Sequence, residues 1–436
     1  MIRRLLTTVA VCAACLRFDT AYAQSSATLV DQMRKLFEDA VVISKTPGGG
    51  GIVAHTPVFL TDPNVVSATS LIDQVSQQIG SQVSIFPLGS SSGGFTYGFD
   101  SALGTFNRTT ETFGPAFAER AASLGKGKYS FGLNVIHTKY DSVDGHDLEG
   151  GDIKFNLKHQ ALSPQSFVEG DVIQAALQMK LTSNTAVFLV NYGLGDKLDI
   201  GFGVPIVHVA MDLTYHATIL DYATRVTSPA THLFSNGQKT QDFSSSGSAS
   251  GVGDVVIRGK YTLMTRSNAG TGVGVELRLP SGDEQNMLGT GAAQAKIFVI
   301  GSGGSGKTTG HVNAGYTVSG GSSYDQVNYI GGGEYAVSPK VTVVADLLGR
   351  TLRNAVRVTD VSIPHSFQQS QNAAFEQTTL RSVALTSGSV TSAFATGGVK
   401  LNPYGNLLIS AHVLFPLNSA GLKSGVTPVI GFEYSF

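Results

Sequence analysis

Val426-Thr427-Pro428-Val429-Ile430-Gly431-Phe432-Glu433-Tyr434-Ser435-Phe436 closes the chain, and its alternation decides how the rest is read. Val426, Pro428, Ile430, Phe432, Tyr434 and Phe436 form one apolar row, with Thr427, Gly431, Glu433 and Ser435 opposite. Successive residues of a strand point to opposite sides, so this is a strand with one apolar and one polar face. A terminal Phe with aromatics two and four residues before it resembles the signal that the outer-membrane barrel assembly machinery reads. Phe432, Tyr434 and Phe436 are therefore expected to be assembly residues.

The same period of two recurs upstream from residue 126. It is clear in Tyr129, Phe131, Leu133, Val135, in Ala186, Phe188, Val190, Tyr192, and in Ile200, Phe202, Val204, Ile206. It returns through Val255–Leu263, Val273–Leu279, Ala295–Val299, Val312–Val318, Val327–Val337, Val341–Leu347, Ala395–Leu401 and Ile409–Phe415. That makes about twelve strands, with twelve to fourteen as the range. Alternation alone suits a soluble sandwich equally well. The strands run about 10–13 residues, which matches the ~9–11 needed to cross a bilayer at a tilt, against ~5–6 in ordinary sheets. Connections alternate in length: short near 194–197, 267–270, 303–306, 338–340 and 402–406, long at 140–171, 220–250, 281–292 and 354–390. Short turns on one side and long loops on the other are the layout of an outer-membrane barrel. The fold class expected is all-β, an antiparallel transmembrane β-barrel over 126–436.

The other end of the chain agrees with export. Arg3 and Arg4 precede an apolar run over 5–15, and Ala21-Tyr22-Ala23 is a small-x-small cleavage site, so 1–23 read as a signal peptide. A lipoprotein signal with Cys15 is the rival. Both cysteines, Cys12 and Cys15, fall in the leader, so a disulfide framework, a thiol nucleophile and cysteine metal sites are excluded from the mature chain. Without Arg3, Arg4, Arg17 and Asp19, 27 basic and 30 acidic residues remain of the 30 and 31 in the whole chain. No basic cluster points to nucleic acid. The 52 glycines exceed the usual ~7% and suit strands and turns.

Residues 24–125 are mixed. Leu29, Val30, Met33, Leu36, Phe37, Ala40 and Val41 recur at helical spacing behind a Thr28/Asp31 capping box, and Pro47 with the following glycines ends that helix. Asp62-Pro63-Asn64 opens a second helix to about Ile79, with Gly80 as its exit. At about 100 residues the segment is too large to lie wholly inside a twelve-strand barrel. Part is expected to plug the lumen, or else the amphipathic helix packs in the periplasm or against sister subunits of a homo-oligomer.

Three stretches or residue sets bear on chemistry. Gly301-Ser302-Gly303-Gly304-Ser305-Gly306-Lys307-Thr308 matches the phosphate-binding loop pattern. The helix that pattern needs is missing, since Gly310-His311-Val312-Asn313-Ala314-Gly315-Tyr316 alternates, so a hairpin turn is expected. Alternation places Asp254, Arg258 and Lys260 on one polar face, Glu276 and Arg278 on the next, and Lys296, Glu334, Asp346, Arg350, Lys400, His412 and Glu433 on others. Asp254, Arg258, Lys260, Glu276, Arg278, Glu334, Asp346, Arg350 and Glu433 are thus candidates to line the lumen, as a structural ion-pair ladder or as a constriction. An outer-membrane hydrolase of the phospholipase kind needs Ser and His on the lipid-facing wall. His208 is the one histidine placed for it, with no serine motif beside it. No catalytic set, metal site or cofactor emerges.

Gly251-Val252-Gly253-Asp254-Val255-Val256-Ile257-Arg258-Gly259-Lys260-Tyr261 resembles the characteristic strand of the MetA-pathway phenol-degradation outer-membrane family, which is distantly similar to the long-chain fatty acid transporters. Leu279-Pro280-Ser281-Gly282-Asp283-Glu284-Gln285-Asn286-Met287-Leu288-Gly289-Thr290-Gly291 is similar to a loop of that family, and Tyr192-Gly193, Asp199 and Pro205 to a strand-turn-strand. The resemblance covers about 125–436. It implies a non-enzymatic barrel in outer-membrane lipid and lipopolysaccharide that passes small hydrophobic or aromatic solutes. A structural or adhesive surface barrel is the further alternative.

Overall fold

The computed structural model describes residues 27–39, 42–45, 52–54, 58–59, 68–83, 94–100, 105–108, 110–158, 170–223 and 232–436, except 267, 322 and 371. The signal peptide expected over 1–23 lies outside them. Twelve strands follow one another round a closed antiparallel sheet: β1 Tyr129–Tyr140, β2 Val172–Gly193, β3 Leu198–Leu220, β4 Val256–Thr265, β5 Ala269–Arg278 and β6 Gln294–Ser305. The second half is β7 Thr308–Ser319, β8 Gln326–Ser338, β9 Val341–Phe367, β10 Glu376–Tyr404, β11 Leu407–Pro416 and β12 Thr427–Ser435. β12 pairs with β1, which closes the barrel. Closure leaves no edge, as a backbone in hydrocarbon requires.

The wall is inside-out relative to a water-soluble barrel. Phe131, Phe188, Val190, Phe202, Val204, Val275, Leu277, Ile297, Val299, Leu347, Phe415 and Ile430 are exposed on the outside, while Asp199, Lys260, His311, Glu334, Asp346 and Lys400 are buried inside. Only a lipid surround makes that arrangement favourable. An even strand number brings both ends to one rim. There Tyr129 and Phe436 exchange backbone hydrogen bonds of 2.8 and 2.9 Å, and Tyr129 stacks on Tyr192 at 4.4 Å and Phe131 on Phe436 at 5.5 Å. This aromatic rim is the periplasmic one, and the protein is an outer-membrane barrel.

Two hairpins are taller than a membrane. β2 and β3 run 22 and 23 residues, and β9 and β10 run 27 and 29, beyond the expected range of about 10–13. The excess follows from an exchange of rows. On β3 the outward row is Leu198, Ile200, Phe202, Val204, Ile206 and then His208, Ala210, Asp212, Thr214, His216. The inward row is Asp199, Gly201, Gly203, Pro205 and then Val207, Val209, Met211, Leu213, Tyr215. The paired β2 does the same: Ala186 stands opposite Ile206, and Asn184 opposite His208. Between those two rungs the outside changes from lipid to water. Above them the sheet is a soluble sheet with an apolar inner face.

That face is covered by α1 Leu29–Asp39 and α2 Ala68–Val83. Leu29, Val30, Met33 and Leu36 with Val75, Ile79 and Val83 join Leu177, Met179, Val209, Met211, Leu213 and Tyr215 in one core. Thr28 and Asp31 cap α1 reciprocally, Asp31 N–H to Thr28 Oγ1 at 3.1 Å and Thr28 N–H to Asp31 at 3.3 Å. Helix α2 does not exit at Gly80 but runs to Val83. At Gly80 an added Cβ would stand 3.6 Å from Met287 Cγ, so the residue marks packing against a loop. None of the described helices is long and apolar enough to cross a membrane.

Two of the long connections are largely strand. Residues Thr240–Val252 pair with upper β3, and 354–390 hold the upper β9–β10 hairpin, which turns between Phe367 and Glu376. The Walker-like stretch is a hairpin turn. Ser305 ends β6, Thr308 begins β7, and Gly306 at φ +56° occupies the turn.

Candidate functional site: the barrel lumen

Below the helical layer, residues 110–124 run through the lumen without regular secondary structure. Their backbone groups cannot reach water or a ladder, so they must find side chains. The wall supplies them. Thr342 Oγ1 accepts the Phe113 N–H at 3.2 Å, and Asp346 Oδ2 accepts those of Phe117 and Ala118 at 2.7 and 3.2 Å. Asn313 Oδ1 takes the Glu119 N–H, and its amide returns a bond to the Glu119 carbonyl. Ser302 Oγ accepts the Ala121 N–H at 2.9 Å. Asp199 accepts the Ser123 hydroxyl and the Leu124 N–H. Lys400 donates to the carbonyls of Phe113 and Pro115, and Lys260 to those of Arg120 and Ala122.

This assigns most of the lumen candidates. Lys260, paired with Asp199 at 3.2 Å with neither side chain exposed, and Asp346 hold the segment. Glu433 accepts the Gly94 N–H and the Ser130 hydroxyl. Arg258 stands opposite Glu276 across β4 and β5, and Glu276 opposite Lys296 across β5 and β6. Arg258 bonds Glu276 at 2.6 Å and also Glu119 of the segment. Glu334 accepts from His311 Nε2 at 2.9 Å, whose Nδ1 meets Ser302 Oγ at 2.9 Å. A Ser-His-carboxylate line can relay a proton from a nucleophile, but this hydroxyl is engaged by Ala121, so it anchors the segment. Arg278 and Arg350 line the cavity higher up.

Asp254 is placed elsewhere. It lies in the break between Thr240–Val252 and β4, and accepts from Gly282 N–H, Thr290 N–H and the Thr290 hydroxyl at 3.1, 2.8 and 2.7 Å. A Cβ on Gly289 would stand 2.5 Å from its Oδ1. The strand and loop stretches quoted for the family resemblance are thus one clamp. His208 does point outward, but above the lipid belt, with Nδ1 2.7 Å from Ser250 Oγ.

Asp199, Ser302, His311, Asn313 and Thr342 hold the segment as well, although none is among the lumen candidates of the sequence. Each sits on the inward row of its strand, so alternation carries their orientation. What it lacks is any sign of the segment they hold. Among the described residues no cluster of His, Cys, Asp and Glu is suited to a metal ion.

Above the segment and below α2 lies a cavity of about 240 Å³. Its apolar wall includes Ile136, Tyr140, Leu348, Phe394, Leu414 and Leu422, and its charged groups are Glu119, Arg258, Glu276, Arg278, Lys296 and Arg350. Just behind Phe394, in the 417–426 connection, Lys423 is 3% exposed and its Nζ lies 3.8 Å from the ring centroid, with no hydrogen-bond partner. Burial, and then the nearby Arg350, push its ammonium down to about 7, against the pull of Asp144. Between about pH 7 and the ordinary lysine value of 10.5 the unfolded chain therefore binds a proton that the folded chain does not, and stability climbs with pH across that window. Lys423→Met is expected to stabilise the barrel by about 1–3 kcal/mol at pH 6.5, and by less at pH 10. Urea unfolding in detergent at both pH values checks this, and an equal effect at both contradicts it.

Residues 166–376 match the family model described as "Putative MetA-pathway of phenol degradation". No curated protein matches the chain in sequence. Among solved structures, an outer membrane channel from Pseudomonas putida F1 is similar at 14% identity and a TM-score of 0.42, over 72% of this chain and 98% of that one. A Pseudomonas aeruginosa FadL homologue is similar at 11% identity and 0.30, over 72% and 90%. The CymD monoaromatic hydrocarbon channel is similar at 10% identity and 0.26, over 72% and 91%. The clamp formed by the 251–261 strand and the 279–291 loop falls inside the matched span, and the family this barrel resembles in sequence is the MetA-pathway phenol-degradation family.

Proposed function

We propose that the protein is a passive outer-membrane channel for small hydrophobic or aromatic compounds, with residues 110–124 as a plug across its lumen. The observation that carries this reading is the cavity: a chamber with an aliphatic and aromatic side, between the polar lumen around residues 110–124 and the apolar layer under α2. Passage needs no chemistry, and Ser302 and His311 act as fasteners. The family description and the hydrocarbon channel among the similar structures agree with this class of solute. The outward aromatics Phe432, Tyr434 and Phe436 on the closing strand are the residues the assembly machinery would engage.

Proteoliposome swelling tests the reading. Phenyl glucoside, which does not cross lipid unaided, should enter several-fold faster than a disaccharide of greater polarity and similar size. Equal rates, or no swelling above protein-free vesicles, would rule out a channel of this selectivity.

A further inference from the structure

The charges around the cavity do not balance. Two carboxylates, Glu119 and Glu276, line it with four cations, Arg258, Arg278, Lys296 and Arg350. Both carboxylates bond Arg258, and Glu276 also stands opposite Lys296. Among the described residues the lining carries two more cations than carboxylates.

Arg350 stands apart among these cations. It makes no hydrogen bond or ion pair among the described residues, and its Nε is buried without an acceptor. Its neighbours on the adjacent strands are Asn328 and Ser392, which are neutral. Ser392 Oγ is already donated to the Ala420 carbonyl. The ionisable groups that act on Arg350 are Tyr140 and a second cation, Arg278. Lys423 lies behind Phe394, with its Nζ 3.8 Å from the ring centroid. A guanidinium is a planar fork of donors that matches a carboxylate in two-point fashion, and a buried one without an acceptor is costly. The surroundings are those of a site awaiting an anion.

The rest of the wall mixes neutral polar residues, among them Thr138, Ser183, Gln294 and Asn328, with an apolar side. Phe394, Leu348, Leu414 and Tyr140 face the same space. At about 240 Å³ it falls below the roughly 300–1,000 Å³ of sites for drug-sized ligands, which suits one ring or a short chain. We propose that this cavity binds a small amphipathic monoanion, an aromatic or short aliphatic carboxylate, with the carboxylate on Arg350 and the apolar body against Phe394, Leu348 and Leu414. This names the solute class for the channel reading above and rests on it for its physiological meaning.

The test is titration calorimetry on the full-length protein in detergent at pH 7.5, with benzoate, its neutral isostere benzamide, and acetate. Benzoate is expected to bind at least tenfold tighter than benzamide, and acetate not measurably. Arg350→Gln should weaken benzoate at least tenfold, to the level of benzamide, and leave benzamide unchanged. Arg350→Met serves as the second variant should Gln disturb assembly, with the heat-dependent gel shift of an intact barrel as the check. Equal affinities for benzoate and benzamide, or undiminished benzoate binding in a folded Arg350 variant, overturn the proposal. The outcomes separate from those of the channel reading: benzoate binding without solute flux removes the channel and keeps the site, and flux without this discrimination does the reverse.

Discussion

Deleting residues 24–120 is expected to raise single-channel conductance in planar bilayers by about tenfold or more, because a twelve-strand barrel is wider than the eight-strand barrels that side chains can fill. The lumen is closed by chain. Phe113, Phe117 and Ala118 are held to β9 by Thr342 and Asp346, Glu119 to β7 by Asn313, and Ala121 to β6 by Ser302. With residues 113–119 gone, Asp346 loses its donors and Lys400 its acceptor carbonyls, and both face an aqueous path that they tolerate because water replaces the lost partners. Ala121 to Leu124 remain, held by Ser302, Asp199 and Lys260. The deletion also removes α1 and α2, so Leu177, Met179, Val209, Met211 and Leu213 lose their cover. The upper hairpins should then become protease-sensitive while the lipid-embedded half stays intact. Unchanged conductance in a folded deletion variant would mean that solutes pass beside residues 110–124 and that these are no plug.

Much of the barrel was legible because strand alternation is local. Tyr129 to Val135, Ala186 to Tyr192 and Ile430 to Phe436 each carry their lipid row in plain view, and the closing strand set the direction of the rest. The upper storey was not legible, for a physical reason. At Ile206/Val207 the apolar row moves from even to odd positions, and a change of phase looks like the end of a strand when it is really the end of the membrane. The 354–390 stretch hid its hairpin in the same way, behind a bulge between Leu352 and Ala355 where Asn354 takes φ +54°. In the lumen, Arg258 facing Glu276 follows from strand pairing alone. The partners of Asp346, Lys260 and Lys400 do not, since residues 110–124 have no period and meet these three across 138 to 287 positions of sequence. Arg350 was visible as an inward charge, but its lack of a partner is a property of the assembled wall.

Lys260→Met is expected to cost about 3–5 kcal/mol of stability, the usual effect of removing one partner from a buried ion pair. Asp199 would keep the Ser123 hydroxyl at 2.6 Å and the Leu124 N–H at 3.1 Å but lose its cation, and the carbonyls of Arg120 and Ala122 would lose their donor. The double variant Asp199→Leu/Lys260→Met separates two roles for the pair. Replacing both members of a buried ion pair with apolar groups is often neutral or stabilising, so a purely internal pair would recover most of the loss. Here both members also serve the backbone of residues 120–124, and the double change removes the acceptor of the Leu124 N–H and the ammonium that donates to two carbonyls, where a buried group left unsatisfied costs about 1–3 kcal/mol. The double variant should therefore stay destabilised and conduct more than the parent at the same protein concentration. Full recovery of the urea midpoint with parental conductance would show that Lys260 and Asp199 brace the wall and leave the plug to Asp346 and Lys400. Loss of stability together with raised conductance in both variants would locate the plug's lower fastening at this pair, one turn from the periplasmic rim where Phe436 seals the barrel.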